Sequence, residues 1–283
     1  MPSPKLSPDL FHPQLLSEQV ALITGGRSGI GYHTAELFCR LGAQVVIASR
    51  DEEKLIQARD QLREASPLAQ VEAFSCDIRE SEAISQLADY IESRFSRLDI
   101  LVNNAGGQFP SLAENLSDRG WNAVINNNLN GTFFVTREMG RRFFLSKGGG
   151  VVVNVIAGIM RGFPGMAHTG AARAGVENLT KTLAQEWARE GVRLNCVAPG
   201  IIASSGLDTY PKPIREVLDQ ATESIPFGRL GESAEVANTI CFLASELSSY
   251  ISGTTLYVDG AQHLNYDNLG LVNAIKKMMS AQR

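Results

Sequence analysis

A chain of 283 residues can bury a substantial core, as one large domain or two small ones, and 44% hydrophobic with 20% charged residues is ordinary for a globular protein. A formal net charge of −4 without basic runs argues against non-specific binding to nucleic acid. No apolar run is long enough to span a membrane, no signal-peptide pattern opens the chain, and the four Cys and four His show no metal-ligand spacing. The expectation is a cytoplasmic, metal-independent protein whose cysteines are buried, reduced thiols.

Residues 1 to about 17 are rich in Pro and Ser and read as a loosely held arm, ahead of a single domain over 18–283. The apolar run QVALITG (19–25) predicts a buried strand, and IGYHTAELFCRLG a helix that stops at Gly42. AQVVIAS (43–49) predicts the next strand, and DEEKLIQARDQLREA a polar-faced helix with Asp51 near its start. VEAFSCD, a helix over about 80–96, and LDILVNNAG continue the alternation. WNAVINNNLNGTFFVTREMGRRFFL predicts one long helix, followed by the strand GVVVNVIA. The next helix carries Arg173, with Val176, Leu179, Leu183 and Trp187 on its buried stripe. VRLNCVAPG and TTLYVDG read as the last two strands, separated by a loop-rich stretch (200–231) and the helix SAEVANTICFLAS. The tail LVNAIKKMMSAQR predicts a C-terminal helix over about 269–281, docked or at a subunit contact rather than on a membrane. About seven strands alternating with helices predict one doubly wound parallel sheet of the α/β class.

TGGRSGIG (24–31) follows the first strand and opens the first helix. Its glycines allow a tight turn, and a helix N-terminus offers free N–H groups to a pyrophosphate, so the stretch predicts a dinucleotide site. Gly25, Arg27, Ser28, Gly29, Ile30 and Gly31 are its candidate contacts. At the end of the second strand an acid would bind a ribose 2′-hydroxyl, but VVIASRD places Ser49 there, followed by Arg50. With Arg27 in the glycine loop, two guanidinium groups converge where a 2′-phosphate would lie, which favours NADP(H). The alternative is that Arg50 merely pairs with Asp51 at the surface.

These motifs, together with CD at 76–77, NNAG (103–106), Asn128 in NNLNG and PG at 199–200, resemble the short-chain dehydrogenase/reductase superfamily over nearly the whole chain. The resemblance implies a Rossmann-like domain and a dimer or tetramer. It places Asp77 and Ile78 near the adenine, and Asn104, Ala105 and Gly106 along the cofactor. It also places Pro199, Gly200, Ile202 and Ser204 at the nicotinamide. The superfamily's usual catalytic set is Ser, Tyr and Lys plus a helix Asn. Aligning AGVENLTK puts Thr169 at the Tyr position and Arg173 at the Lys position, while NVIAG supplies Ile156 and Ala157 in place of the Ser. Only Asn128 survives.

A threonine hydroxyl does not ionise near neutral pH and arginine effectively never gives up its proton, so ordinary alcohol–ketone chemistry is disabled. Reduction of a C=C conjugated to a thioester needs fixed donors for an enolate oxygen instead. Asn128, Thr169 and Arg173 are the candidate catalytic residues, with Thr169 and Arg173 on one helix face at i and i+4. Arg173 doubles as a cofactor residue.

NNAGGQF, GFPGMAHTGAARAGVENLTK and LAQEWAREGVRLNCVAPG resemble trans-2-enoyl-CoA reductases of the peroxisomal type, which also lack the Tyr and share HxGAAR. The related 2,4-dienoyl-CoA reductases keep a Lys at the Arg173 position and use another Tyr. Here no tyrosine lies between Tyr90 and Tyr210. The expected activity is NADPH-dependent reduction of trans-2-enoyl-CoA thioesters; a dienoyl-CoA or other activated-alkene reductase, and a degenerate NADP-binding member, stay open. Candidate substrate residues are Gln108, Phe109, Gly158 and Phe163, with Met160, Arg161 and His168 nearby, and Tyr210, Lys212 and Arg215 in a substrate lid. The ending AQR does not resemble a peroxisomal address.

Overall fold

The computed structural model describes residues 11–204, 222 and 225–264. Strands β1 (Val20–Thr24), β2 (Gln44–Ser49), β3 (Val71–Ser75), β4 (Ile100–Asn103), β5 (Gly150–Val155), β6 (Val192–Pro199) and β9 (Thr255–Val258) form one seven-stranded sheet in the order β3-β2-β1-β4-β5-β6-β9. Every neighbouring pair is parallel. The continuous apolar runs of β1 and β4 are wholly buried because helices cover both faces.

On one face, α1 (Gly29–Arg40), α2 (Glu52–Ala65) and α8 (Ser233–Ala244) bury Phe38, Leu62 and Ile240 against Ile23 and Ile47. On the other, α3 (Ser81–Phe95) and the long helix between β4 and β5 bury Ile91, Met139 and Phe143 against Leu22 and Leu101. The four cysteines are buried free thiols, and burial pushes those of Cys39, Cys76 and Cys241 up to about 12.

The long helix is interrupted twice. It runs as α4 (Asp118–Ile125), a π segment (Asn126–Asn130), α5 (Gly131–Met139), a second π segment (Gly140–Phe144) and α6 (Leu145–Lys147). Gly140 lets it approach α7 (Ala167–Glu186) closely, since a Cβ there would sit 2.6 Å from the Trp187 ring.

Part of the arm expected to be loose is docked. Leu16 is wholly buried, its N–H donates to the Leu41 carbonyl at 3.0 Å, and Phe11 and Leu15 pack on the same core. A short parallel ladder joins β7 (Ile202–Ala203) to β8 (Gly231–Glu232) at the two ends of the expected substrate lid. Tyr210, Lys212 and Arg215, and the expected helix at 269–281, lie outside the described residues. No helix among the described residues is long and apolar enough to cross a membrane.

The strand order reverses at β1, whose neighbours β2 and β4 lie to either side. The loops leaving β1 and β4 therefore diverge at their carboxyl ends and open a crevice, the place where α/β sheets bind ligands. The glycine loop and NNAG are those two loops.

Candidate active site

Gly25 takes φ +68° at the end of β1, a conformation that disfavours any side chain. The turn is braced from β4. The Asn104 amide Nδ2 donates to the carbonyls of Thr24 and Gly25 at 3.1 and 3.2 Å. Thr24 Oγ1 in turn accepts the backbone N–H groups of Asn104 and Ala105, both at 3.1 Å. A Cβ on Gly31 would sit 2.5 Å from Asn104 Nδ2, so the brace needs glycine at the helix start. Ser28, the N-cap of α1, makes no side-chain cap bond, and the first turn holds no acid. Its N–H groups are left facing a site for an anion.

Thr24→Val is expected to strand the Ala105 N–H, while that of Asn104 keeps the Val102 carbonyl at 3.2 Å, lowering stability by about 1–3 kcal/mol in urea unfolding and weakening dinucleotide affinity in parallel. Unchanged stability and affinity would show that the brace is idle.

The crevice is an open cleft of about 410 Å³. Of the expected cofactor residues, Gly25, Arg27, Arg50, Ile78, Ala105 and Gly106 line it. Ala48, Asp51, Cys76 and Asn127 line it too; the first three sit at or just beyond the ends of β2 and β3 and Asn127 within the first π segment, where apolar periodicity carries no signal. Ser49 Oγ is buried there with no hydrogen-bond partner among the described residues, an orphan group that a phosphate oxygen would satisfy. Arg50 makes no ion pair among the described residues. Asp51 instead caps α2 and pairs with Lys54 at 3.3 Å and with Arg27 at 4.0 Å. Asp77, expected near the adenine, is held by the Arg79 guanidinium, which lowers its carboxyl pKa. Ser204 reaches the glycine loop, its Cβ 3.8 Å from where a Cβ on Gly29 would stand. Pro199 pairs with Val258, Gly200 packs on Asp259, and Ile202 is buried.

Next to the cleft lie the candidate catalytic residues. Asn128 sits in the first π segment, buried, and both ends of its amide are spent on one residue, Gly107. Its Nδ2 donates to the Gly107 carbonyl at 2.8 Å and its Oδ1 accepts the Gly107 N–H at 3.0 Å. Asn128 thus positions the backbone after NNAG. Arg173, on α7, is buried and donates through Nη1 to the Val155 carbonyl at 3.1 Å. No carboxylate pairs with it among the described residues, and burial pushes its pKa down to about 10. A Cβ on Gly106 would collide with this guanidinium and stand 2.7 Å from Asn128 Oδ1, so the three residues meet at one point.

Thr169 is wholly buried, with its hydroxyl 3.3 Å from His168 Nδ1. Phe109, half exposed, stands edge-on to the His168 ring with centroids 4.6 Å apart. The Ser111 N–H donates to the Gly165 carbonyl at 2.7 Å, strapping this segment to the loop before α7. On that loop Met160 is exposed, Gly158 faces open space, and Phe163 lies against Gly170.

A family model described as "Enoyl-(Acyl carrier protein) reductase" matches residues 25–263. The chain belongs to the short-chain dehydrogenase/reductase family. This short-chain reductase is 39% identical to the peroxisomal 2,4-dienoyl-CoA reductase of Pongo abelii, over 92% of this chain and 88% of that one. It is 37% identical to a probable 2,4-dienoyl-CoA reductase of Bacillus subtilis (strain 168), over 88% of this chain and 98% of that one. Among solved structures it resembles a citronellol catabolism dehydrogenase of Pseudomonas aeruginosa PAO1, with TM-score 0.80, 41% identity, and coverage of 90% and 98% of the two chains. Levodione reductase superposes with TM-score 0.84 at 29% identity, covering 89% of this chain and all of that one. The expected Rossmann-like fold and family are those observed, and the protein is an oxidoreductase of this family.

Proposed function

We propose that the protein uses NADPH to reduce a C=C bond conjugated to the thioester of an acyl-CoA. The observation that carries this reading is Arg173, a buried guanidinium without a carboxylate partner among the described residues, meeting Gly106 beside the dinucleotide cleft in a site that lacks the family's Tyr. Such a cation is costly to bury unless an anion or oxygen comes to it.

The cleft fits NADP(H). Arg27 and Arg50 would hold the 2′-phosphate with Ser49 Oγ, and the open N–H groups of α1 would hold the pyrophosphate. When bound, NADPH supplies hydride to the β-carbon of the substrate. The C=C electron pair then moves toward the thioester, leaving negative charge on its oxygen. Arg173, with N–H donors beyond the one given to Val155, stabilises that charge and the adjoining ribose without yielding a proton. Asn128 keeps the Gly106–Gly107 peptides in place against it. The α-carbon takes its proton from water, since Thr169 is not an acid near neutral pH. Phe109 and Met160 give the acyl chain an apolar path in.

The names of the relatives favour a second reading of the same site, in which the substrate carries a further double bond as a 2,4-dienoyl-CoA. Purified protein given NADPH with crotonyl-CoA or with a 2,4-dienoyl-CoA, in separate reactions, tests both. Loss of nicotinamide absorbance and the identified product assign the substrate. Tight NADPH binding without hydride transfer to either would overturn the enzymatic reading and leave a cofactor-binding protein. A homo-oligomer belongs to the same proposal, tested by light scattering.

A further inference from the structure

His168 stands five residues before Arg173 on α7, next to Thr169, and has no solvent exposure. Its Nδ1 accepts the backbone N–H of Thr169 at 2.8 Å, with the Thr169 hydroxyl 3.3 Å from the same atom. The Thr169 N–H also reaches the Met166 carbonyl at 3.0 Å; with Nδ1 as its second acceptor, and with burial outweighing the Met166 backbone bond to disfavour the charged ring, the hydrogen of the neutral imidazole is assigned to Nε2. That Nε2 is buried without a partner among the described residues. An N–H donor left in this state is costly, and such groups in folded proteins call for an explanation.

The surroundings indicate which kind of acceptor would complete it. The cofactor cleft reaches Gly106, and His168 is not among its walls. The ring standing on His168 is that of Phe109, three residues beyond Gly106 and exposed to solvent. An aromatic side chain turning about two bonds can uncover the imidazole to a ligand entering there. The acceptor then comes from the substrate side, and in an acyl-CoA the acceptor next to the reacting carbons is the thioester carbonyl.

We infer that His168 Nε2–H is a substrate donor: it is uncovered when Phe109 turns aside and hydrogen-bonds the thioester carbonyl oxygen opposite Arg173. A neutral imidazole in this role polarises the carbonyl and keeps its proton throughout, as an oxyanion donor does. The inference rests on the acyl-CoA reading proposed above.

Two measurements test it separately from that reading. In the holoprotein with NADP+, the His168 Nε2 nitrogen resonance, assigned by its loss in His168→Gln, should shift on saturation with hexanoyl-CoA, a saturated thioester that does not react. A resonance unmoved by hexanoyl-CoA, or moved equally by NADP+ alone, overturns the inference. In turnover, His168→Phe should lower kcat/KM for the enoyl-CoA about tenfold at unchanged NADPH affinity, and His168→Gln, which keeps an N–H donor, should recover part of it. Wild-type kinetics in His168→Phe also overturn it. Should His168→Phe fail to fold, the Gln variant and the resonance decide. Should the wild type reduce no thioester at all, the proposed activity falls, and the hexanoyl-CoA resonance alone decides the role of His168.

Discussion

Replacing Arg173 with methionine is expected to remove turnover while making the protein more stable. The guanidinium has no carboxylate partner among the described residues, and its depressed pKa of about 10 reports a charge held against burial. An apolar chain of similar length relieves that cost, by about 1 kcal/mol or more, which at this size raises Tm by roughly 2 °C or more. The same change deletes the donor that meets developing charge on the thioester, so kcat should fall by about 10²–10³. Arg173→Lys keeps the charge but loses the planar fork, and should fall between the two. Calorimetry and single-turnover kinetics on the three proteins check the pattern. A methionine variant that is both less stable and fully active would show that Arg173 is a packing residue, and would remove the basis for the proposed activity.

Cofactor choice should turn on two adjacent residues at the end of β2. Arg50 makes no ion pair among the described residues and lines the cleft, so Arg50→Ala should weaken NADPH binding about tenfold or more and leave NADH nearly untouched. Ser49→Asp should go further and reverse the preference. It places a carboxylate where a 2′-phosphate would be repelled and a 2′-hydroxyl accepted. Fluorescence titration of both dinucleotides against both variants gives the answer. Equal losses for NADPH and NADH would mean that the two residues shape the cleft without reading the phosphate.

Residues whose role depends on their own type and neighbours in sequence are the ones legible before the structure. The apolar runs of β1, β2 and β4 announce buried parallel strands, and the TGGRSGIG spacing announces the turn that Gly25 makes. Arg173 is legible because a charge among alanines and glycines has no ordinary reason to be there. What sequence reading misses is decided by partners far along the chain. The bracing of Gly25 by Asn104 and Thr24 joins residues about 80 apart, and no local pattern carries it. Asn128 is readable as a site residue, but its two bonds to Gly107 are visible only once the helix and the NNAG loop are brought together. Thr169 and His168 show the same limit, since their helical spacing says nothing about which polar atom will lack a partner. The docking of Leu16 is hidden by the Pro and Ser around it, which set the composition of the arm but not the fate of this leucine.

The π segment at Asn126–Asn130 makes the position of Asn128 a matter of residue count as well as residue type. Segments of this kind behave as one-residue insertions into an α-helix. Removing a single residue there would return the backbone to regular α-helix and swing the asparagine by about a third of a turn, away from Gly107, with its chemistry intact. Loss of function in relatives of this protein can therefore arise from a silent change of length, with every motif residue still in place. Insertions and deletions in this helix are the variation to watch.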